Sequence, residues 1–484
     1  MVINTNTASL VAQAAQAATN KAMDTAMERL STGKRINTAA DDAAGLAISS
    51  RMEAQIKGLT VAMRNAADAQ SLIDTTEGAH DEITNILQRM RELAVQSAND
   101  TNVAGDRANL QAEVTHLTAE INRISSQTTW NGMSVLDGTF SSKKFQIGAE
   151  ASQYVSVGID SVASTALGAY TTTLATEAND VSGGSEINGD TIAVTGYLGS
   201  ANVTYGAGAS AKDIAAEVNA ATASTGVKAT ATTKAKIDGL TAAEAISFSI
   251  NGTAIASTTP ATTSDLRNLR DAINAISTSS GVTATVGSSN AELILTAIDG
   301  RDIAITGVTT ATADTTEFDV TALNAAGTEV GSAVTADDGT DATASITVTG
   351  YTEFTSSKDF SLNGSGTTTG DYADADADLS GISAVNISSQ SGASSAITAI
   401  DGALEKIAQA RADLGAISNR MDHTINNLSD LKVNISASQS RIQDADFAAE
   451  TSNLTKTQIL SQAATAMLAQ ANASKQSVLS LLQG

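Results

Sequence analysis

Ser440 to Gly484 reads SRIQDADFAAETSNLTKTQILSQAATAMLAQANASKQSVLSLLQG. It has no proline, no aromatic residue after Phe447 and no glycine before Gly484, so nothing in it interrupts a helix. Leu460, Ala464, Met467, Ala471, Ser474, Val478 and Leu481 alternate four and three apart and draw one seam along that helix. A helix of this kind gains most of its stability by burying such a seam, so the fold is decided by where the partner lies.

Working back along the chain, Ile397, Ile400, Leu404, Ile407, Leu414, Met421, Ile425, Leu428, Leu431, Ile435 and Ile442 keep helical spacing and predict a second long helix. The N-terminal part mirrors this order. Residues 5–32 read as an amphipathic helix with Met23, Met27 and Leu30 on one face, and Gly33 ends it. Lys34, Arg35 and the capping candidates Asp41 and Asp42 form a connector. A long run follows through Met52, Ile56, Leu59, Met63, Ala66 and Ile73, then Ile83, Leu87, Met90 and Ala94. A shorter run, Leu110, Val114, Leu117, Ile121 and Ile124, should fold back antiparallel after a polar turn. Beyond Trp130 the period changes to two, and Phe145, Ile147, Val155 and Val157 predict a β-hairpin. The two ends are therefore expected to pair, with the middle projecting away.

That middle, residues 171–395, is rich in Thr, Ser, Ala, Gly and Asp and carries short alternating segments such as TIAVTG and ASITVTG. A weak repeat runs through it. Asn188-Gly189, KDIAAEVNAA and GVKATAT answer to Asn251-Gly252, SDLRNLRDAINAI and GVTATV, which predicts two mixed α/β modules at about 185–308. A less regular acidic segment follows at 309–395. The expected class is α+β, divided as 1–42, 43–170, 171–395, 396–445 and 446–484.

Composition limits the chemistry. The chain of 484 residues has 3% aromatics, one proline and no cysteine, which excludes disulfides, thiolate metal sites and thiol catalysis. Net charge is −24, and residues 171–395 hold 8 Lys/Arg against 26 Asp/Glu, which argues against nucleic acid or an anionic membrane as a partner. No stretch approaches a membrane span, and the first residues lack the pattern of a cleaved signal. His80, His116 and His423 have no neighbours at metal-ligand spacing and read as solvated or interfacial helix residues. With no HExxH, nucleophile elbow or P-loop, neither an enzyme nor a cofactor site is expected. Asp371, Asp374, Asp376 and Asp378 superficially suggest calcium, but the glycine and distal Glu of an EF-hand loop are missing, and a solvated loop is the reading.

INTNTASL at Ile3 to Leu10, LSTGKRINTAADDAAGLAIS at Leu30 to Ser49, and SRIQDADFAAETSNLTKTQIL with LAQAN and SVLSLL near the end resemble bacterial flagellins. The resemblance covers about residues 1–165 and 396–484. It departs at Ser474-Lys475, where many flagellins have valine-proline, and at the final Gln483-Gly484, where they have arginine. It implies paired terminal helices in the inner tube of a filament, long helices around them, and a variable decorated surface. Met52, Ile56, Leu59, Met63, Leu404, Ile407, Met421, Leu428, Ile435, Leu460, Met467, Val478 and Leu481 are the expected filament-packing seam. Further implications are export without a cleaved signal peptide, an export chaperone on the C-terminal helices, cap and hook-associated partners, and an extracellular filament used for swimming. LQRMRELAVQSAN resembles the segment recognised by the flagellin-sensing Toll-like receptor, with Arg89, Leu93, Gln96 and Glu113 matching, although subunit packing is the preferred reading of such residues. A secreted adhesin and a hook–filament junction protein are the alternatives.

Overall fold

The computed structural model of the chain describes residues 5–174, 178–180, 190–310, 317–336, 345–364 and 375–482. The architecture is α+β, as expected, and contacts divide it into two units. Unit one gathers Met1–Asp74, Ser142–Gly158 and Leu414–Gly484; unit two gathers Thr75–Ser141 and Ile159–Asp413.

The helices are α1 (Thr7–Thr32), α2 (Ala43–Ser97), α3 (Ala104–Gln127), α4 (Ala211–Ala220), α5 (Thr222–Thr225), α6 (Arg267–Ala275), α7 (Ser277–Ser280), α8 (Gln390–Gln443) and α9 (Phe447–Leu482). In unit one, Asn6 caps α1 by accepting from the Ser9 amide, and Gly33 ends it at φ 70°, a conformation that favours glycine. The two candidate caps separate. Asp42 Oδ1 accepts from the Gly45 amide and starts α2, whereas Asp41 accepts from the Asn37 and Thr38 amides and shapes the connector. That connector pairs with its C-terminal counterpart: the Arg35 amide donates to Gln443 O at 2.6 Å and the Ala445 amide to Gly33 O at 3.0 Å. The first part of α2 runs antiparallel to the last part of α8, as Ser49 Oγ to Gln443 Oε1 and Gln70 Nε2 to Asp422 Oδ1 show. The hairpin Lys143–Gln146 and Tyr154–Val157 forms with Phe145 opposite Val155, and Asn65 Nδ2 ties it to α2 through Gln146 O at 2.9 Å.

In unit two the rest of α2 packs against α3 and the first part of α8. Ile83, Leu87, Met90 and Ala94 are fully buried, with Val114, Ile121 and Ile124 from α3 and Ala396, Ile400, Ala403 and Ile407 from α8. Arg91 to Asp401 at 2.6 Å and Ser97 Oγ to Ile387 O at 2.5 Å set the antiparallel register.

The middle segment holds two modules of the same plan, one nested in the other. The first begins with the hairpin Asp190–Gly196 and Gly199–Tyr205, continues through α4, α5 and the start of Lys228–Asp238, and is closed only by Tyr351–Ser356 and Ser361–Gly364. The second lies between, with Ile246–Ile250, Thr253–Ala254, α6, α7, Thr283–Val286, Leu293–Ala297 and Ile303–Thr310. Ala229 faces Phe354 in the first ladder as Ala284 faces Leu295 in the second. Each module has its own apolar core, one around Ile192, Val194, Ile214, Val218 and Phe354, the other around Phe248, Leu269, Ile273, Leu295 and Ile305.

A shared lock carries the likeness. Asn219 donates to Ala229 O at 2.8 Å and accepts from its amide at 2.9 Å, and Asn274 does the same with Ala284, both bonds at 2.8 Å. Each asparagine thereby holds its helix to the following strand across a left-handed glycine, Gly226 or Gly281. Two consecutive modules followed by an irregular acidic segment were expected; instead the segment after 309 supplies strands that complete the first module. Strand pairing between residues so distant leaves no trace in local periodicity. Asn188-Gly189 lies outside the described residues.

Asp302 is half-buried in the second module, and its Oδ1 has no hydrogen-bond partner. Burial, reinforced by the Asp213 charge, pushes its carboxyl up to about 7 from 3.8. The folded state then holds more protons than the unfolded state between those values, so this residue's contribution to stability falls as pH rises through that window. Asp302→Asn is expected to raise the melting temperature at pH 8 and leave it nearly unchanged at pH 4, read by calorimetry. Asn274→Ala strands a buried amide and carbonyl and should cost about 2–4 kcal/mol in denaturant unfolding.

Candidate assembly surfaces

In unit one, α1 and α9 lie antiparallel, joined by Asn6 Nδ2 to Ala471 O and Ser461 Oγ to Asn20 Oδ1, each at 3.3 Å. Most of the side chains turned to each other are small or polar. On α1 they are Ser9, Ala12, Gln16, Thr19, Met23, Ala26 and Leu30; on α9 they are Leu454, Thr457, Ser461, Ala464, Leu468 and Ala471. Both sets alternate three and four apart, and the short side chains let the backbones approach closely.

Met23, Leu30, Leu454 and Leu468 are the large apolar exceptions, and the other described large apolar side chains of the pair lie elsewhere. Leu10, Val11 and Met27 on α1, and Phe447, Ile459, Leu460 and Met467 on α9, are exposed, Val11 at 69% and Met467 at 65%. Here the structure corrects the single seam drawn from the sequence. Ala464 and Ala471 face α1, but Leu460 and Met467 do not. Two three-four ladders share the two alanines, and the inward one is the ladder with the smaller side chains. The sequence signal for the outward face was size, since this is where the bulk accumulates. Val478 and Leu481 fall on α9, but their side chains lie outside the described residues.

The long-helix residues divide too. Leu59, Ile407 and Met421 are buried within the chain itself, so their packing is already complete in one subunit. Met52, Ile56, Met63, Leu404, Leu428 and Ile435 are half-buried. Leu428 and Ile435 line an open groove of about 350 Å³ with Leu59, Gln55, Gly148 and Tyr154, between the two helices and the hairpin turn of unit one.

On α2 and α3 of unit two, Arg89 is exposed and pairs with Glu92 at 3.0 Å and Glu113 at 2.9 Å, and these carboxylates hold its guanidinium above its ordinary value. Gln96 is exposed, but Leu93 is 1% exposed and belongs to the core. Its place in an accessible recognition surface is therefore corrected: the helix turn that presents Arg89 and Gln96 points Leu93 inward. His116 and His423 are exposed and His80 is buried.

Among the described residues no group of three or more His, Cys, Asp or Glu is placed to hold a metal ion, and no helix is long and apolar enough to cross a membrane. Asp371 and Asp374 lie outside the described residues. The exposed apolar faces of α1 and α9 offer binding by burial.

Comparison with known proteins agrees with this geometry. Residues 3–141 match the bacterial flagellin N-terminal helical region, residues 397–482 the bacterial flagellin C-terminal helical region, and residues 191–241 the flagellin hook IN motif. The B-type flagellin of Pseudomonas aeruginosa is 39% identical over 100% of both chains. A flagellin of Salmonella choleraesuis is 36% identical over 100% of this chain and 99% of its own, and flagellin D of Vibrio anguillarum is 33% identical over 99% of each. With both helical ends matched and full-length relatives above 30% identity, the chain belongs to the bacterial flagellin family.

Proposed function

We propose that the outward apolar faces of α1 and α9 are the contacts through which this flagellin adds to its neighbours in the flagellar filament. The supporting observation is the distribution of side chains in that helix pair, with mostly alanine, serine and threonine inside while Leu10, Val11, Met27, Ile459, Leu460 and Met467 lie outside. Burying one such side chain contributes roughly 1.5–3 kcal/mol, so the exposed set gives ample driving force for association. The faces on α1 and α9 differ, so a contact between them is heterologous, the kind that builds an open helical filament when its rotation does not close. In this reading Met52, Ile56, Met63, Leu404, Leu428 and Ile435 complete their burial against neighbouring subunits, while Leu59, Ile407 and Met421 act by stiffening the subunit.

The family implies a structural role in the extracellular flagellum, with cap and hook-associated proteins at the filament ends. Our reading extends this to an export chaperone that shields the α9 face before assembly, and to export without a cleaved signal. Arg89, Gln96 and Glu113 remain available to a Toll-like receptor. The five divisions at 1–42, 43–170, 171–395, 396–445 and 446–484 follow the same logic of inner helices, long helices and variable insert. An adhesive role for the insert is the second reading, and glycan-array binding by the full chain would support it.

Leu460→Asp and Met467→Asp are expected to leave monomer helicity unchanged by circular dichroism. Each should raise the critical concentration for polymerisation about 100-fold, since an unpaired carboxylate in an apolar contact costs about 3 kcal/mol or more. Normal filaments in electron micrographs of either variant would overturn the proposal. So would filaments from a chain lacking residues 1–40 and 446–484.

A further inference from the structure

Along α2 the buried ladder facing α8 in unit two runs Thr76, His80, Ile83, Leu87, Met90, Ala94 and Ser97, three and four apart. An imidazole thus occupies a position that an aliphatic side chain would normally fill. His80 is 0% exposed, and neither Nδ1 nor Nε2 has a hydrogen-bond partner. Such a ring is tolerated neutral, but a proton on it would be a charge without water or acceptor.

The charged groups around it sharpen the asymmetry. Arg411 of α8 reaches Glu77 at 3.4 Å and Asp81 at 3.2 Å, the residues three before and one after His80. Burial is the main cause that opposes a proton on the ring, Arg411 adds to it, and Glu77 offsets them only in part. On α3 the Glu120 and Arg123 side chains are exposed and satisfy each other at 2.5 Å. The one carboxylate that favours the proton, Glu77, is thus already engaged by Arg411.

We propose that His80 is an acid-sensitive pin in the α2–α8 seam, neutral and packed near neutrality, whose protonation opens the helical core of unit two. An unfolded imidazole takes up its proton near 6.5, whereas the folded one resists until about 4. Between these values the unfolded state binds more protons, so the stability present above pH 6.5 is lost as pH falls toward 4. Asp302 changes stability in the opposite sense over an overlapping range, but in the second module, so a local readout separates the two. The inference concerns the monomer and does not depend on which surfaces assemble.

The test uses the full-length monomer. Histidine imidazole NMR gives three signals, with His80 assigned by its loss in His80→Gln and the exposed His116 and His423 as references. The expected result is a His80 ring still neutral at pH 5. Hydrogen exchange of amides around residues 76–90, corrected for intrinsic rates, should accelerate by roughly a hundredfold between pH 6.5 and 4 in the parent. It should change little in His80→Leu and in His80→Gln, which packs a neutral polar group should the leucine fail to fold. Titration of His80 near 6.5, or the same acceleration in a folded variant, would overturn the proposal.

Discussion

The scarcity of large side chains between α1 and α9 is the constraint from which most of the chain's behaviour follows. Two helices held largely by small residues such as Ala12, Ala26, Ala464 and Ala471, with Met23, Leu30, Leu454 and Leu468 as the larger contacts, lie close together, while Val11, Ile459, Leu460 and Met467 face outward. A pair built this way is poorly stabilised alone and strongly stabilised by further burial. Assembly is the natural completion of its core.

The long helices solve the opposite problem. Leu72, Ile73, Ile83, Leu87 and Met90 are sealed inside the chain, backed by α8 in both units and by α3 in unit two. Ion pairs such as Arg91–Asp401 and Arg411–Asp81 flank the seam and set register more than stability, since exposed pairs contribute little. Thr76, His80 and Ser97 make the seam less apolar than it needs to be. Such polar positions select one alignment at some energetic cost, and His80 makes that cost dependent on pH.

The inserted modules are independent of this helical logic. Each closes a small core with a hairpin, two short helices and an asparagine lock, and the second sits between two strands of the first. Nesting leaves both ends of the insertion on neighbouring strands, with Thr232 opposite Tyr351. Length can thus be added without disturbing the surrounding ladder. The excess of acidic side chains across residues 171–395 keeps this region solvated and self-repelling.

The sequence alone determined the helices, the hairpin at Phe145 and Val155, the pairing of the ends and the repeat behind Asn219 and Asn274, because each rests on local period or on matched neighbouring residues. It did not decide which ladder of α9 faces α1, since Ala464 and Ala471 belong to both candidates and periodicity gives spacing without choosing between overlapping phases. It left Leu93 on an accessible face and His80 solvated or interfacial, because burial depends on which helices close over a position. The nesting of the modules was likewise settled only by pairing between residues such as Ala229 and Phe354, far apart in the chain. Local residues dictate element and period; the choice of face and partner is made by packing.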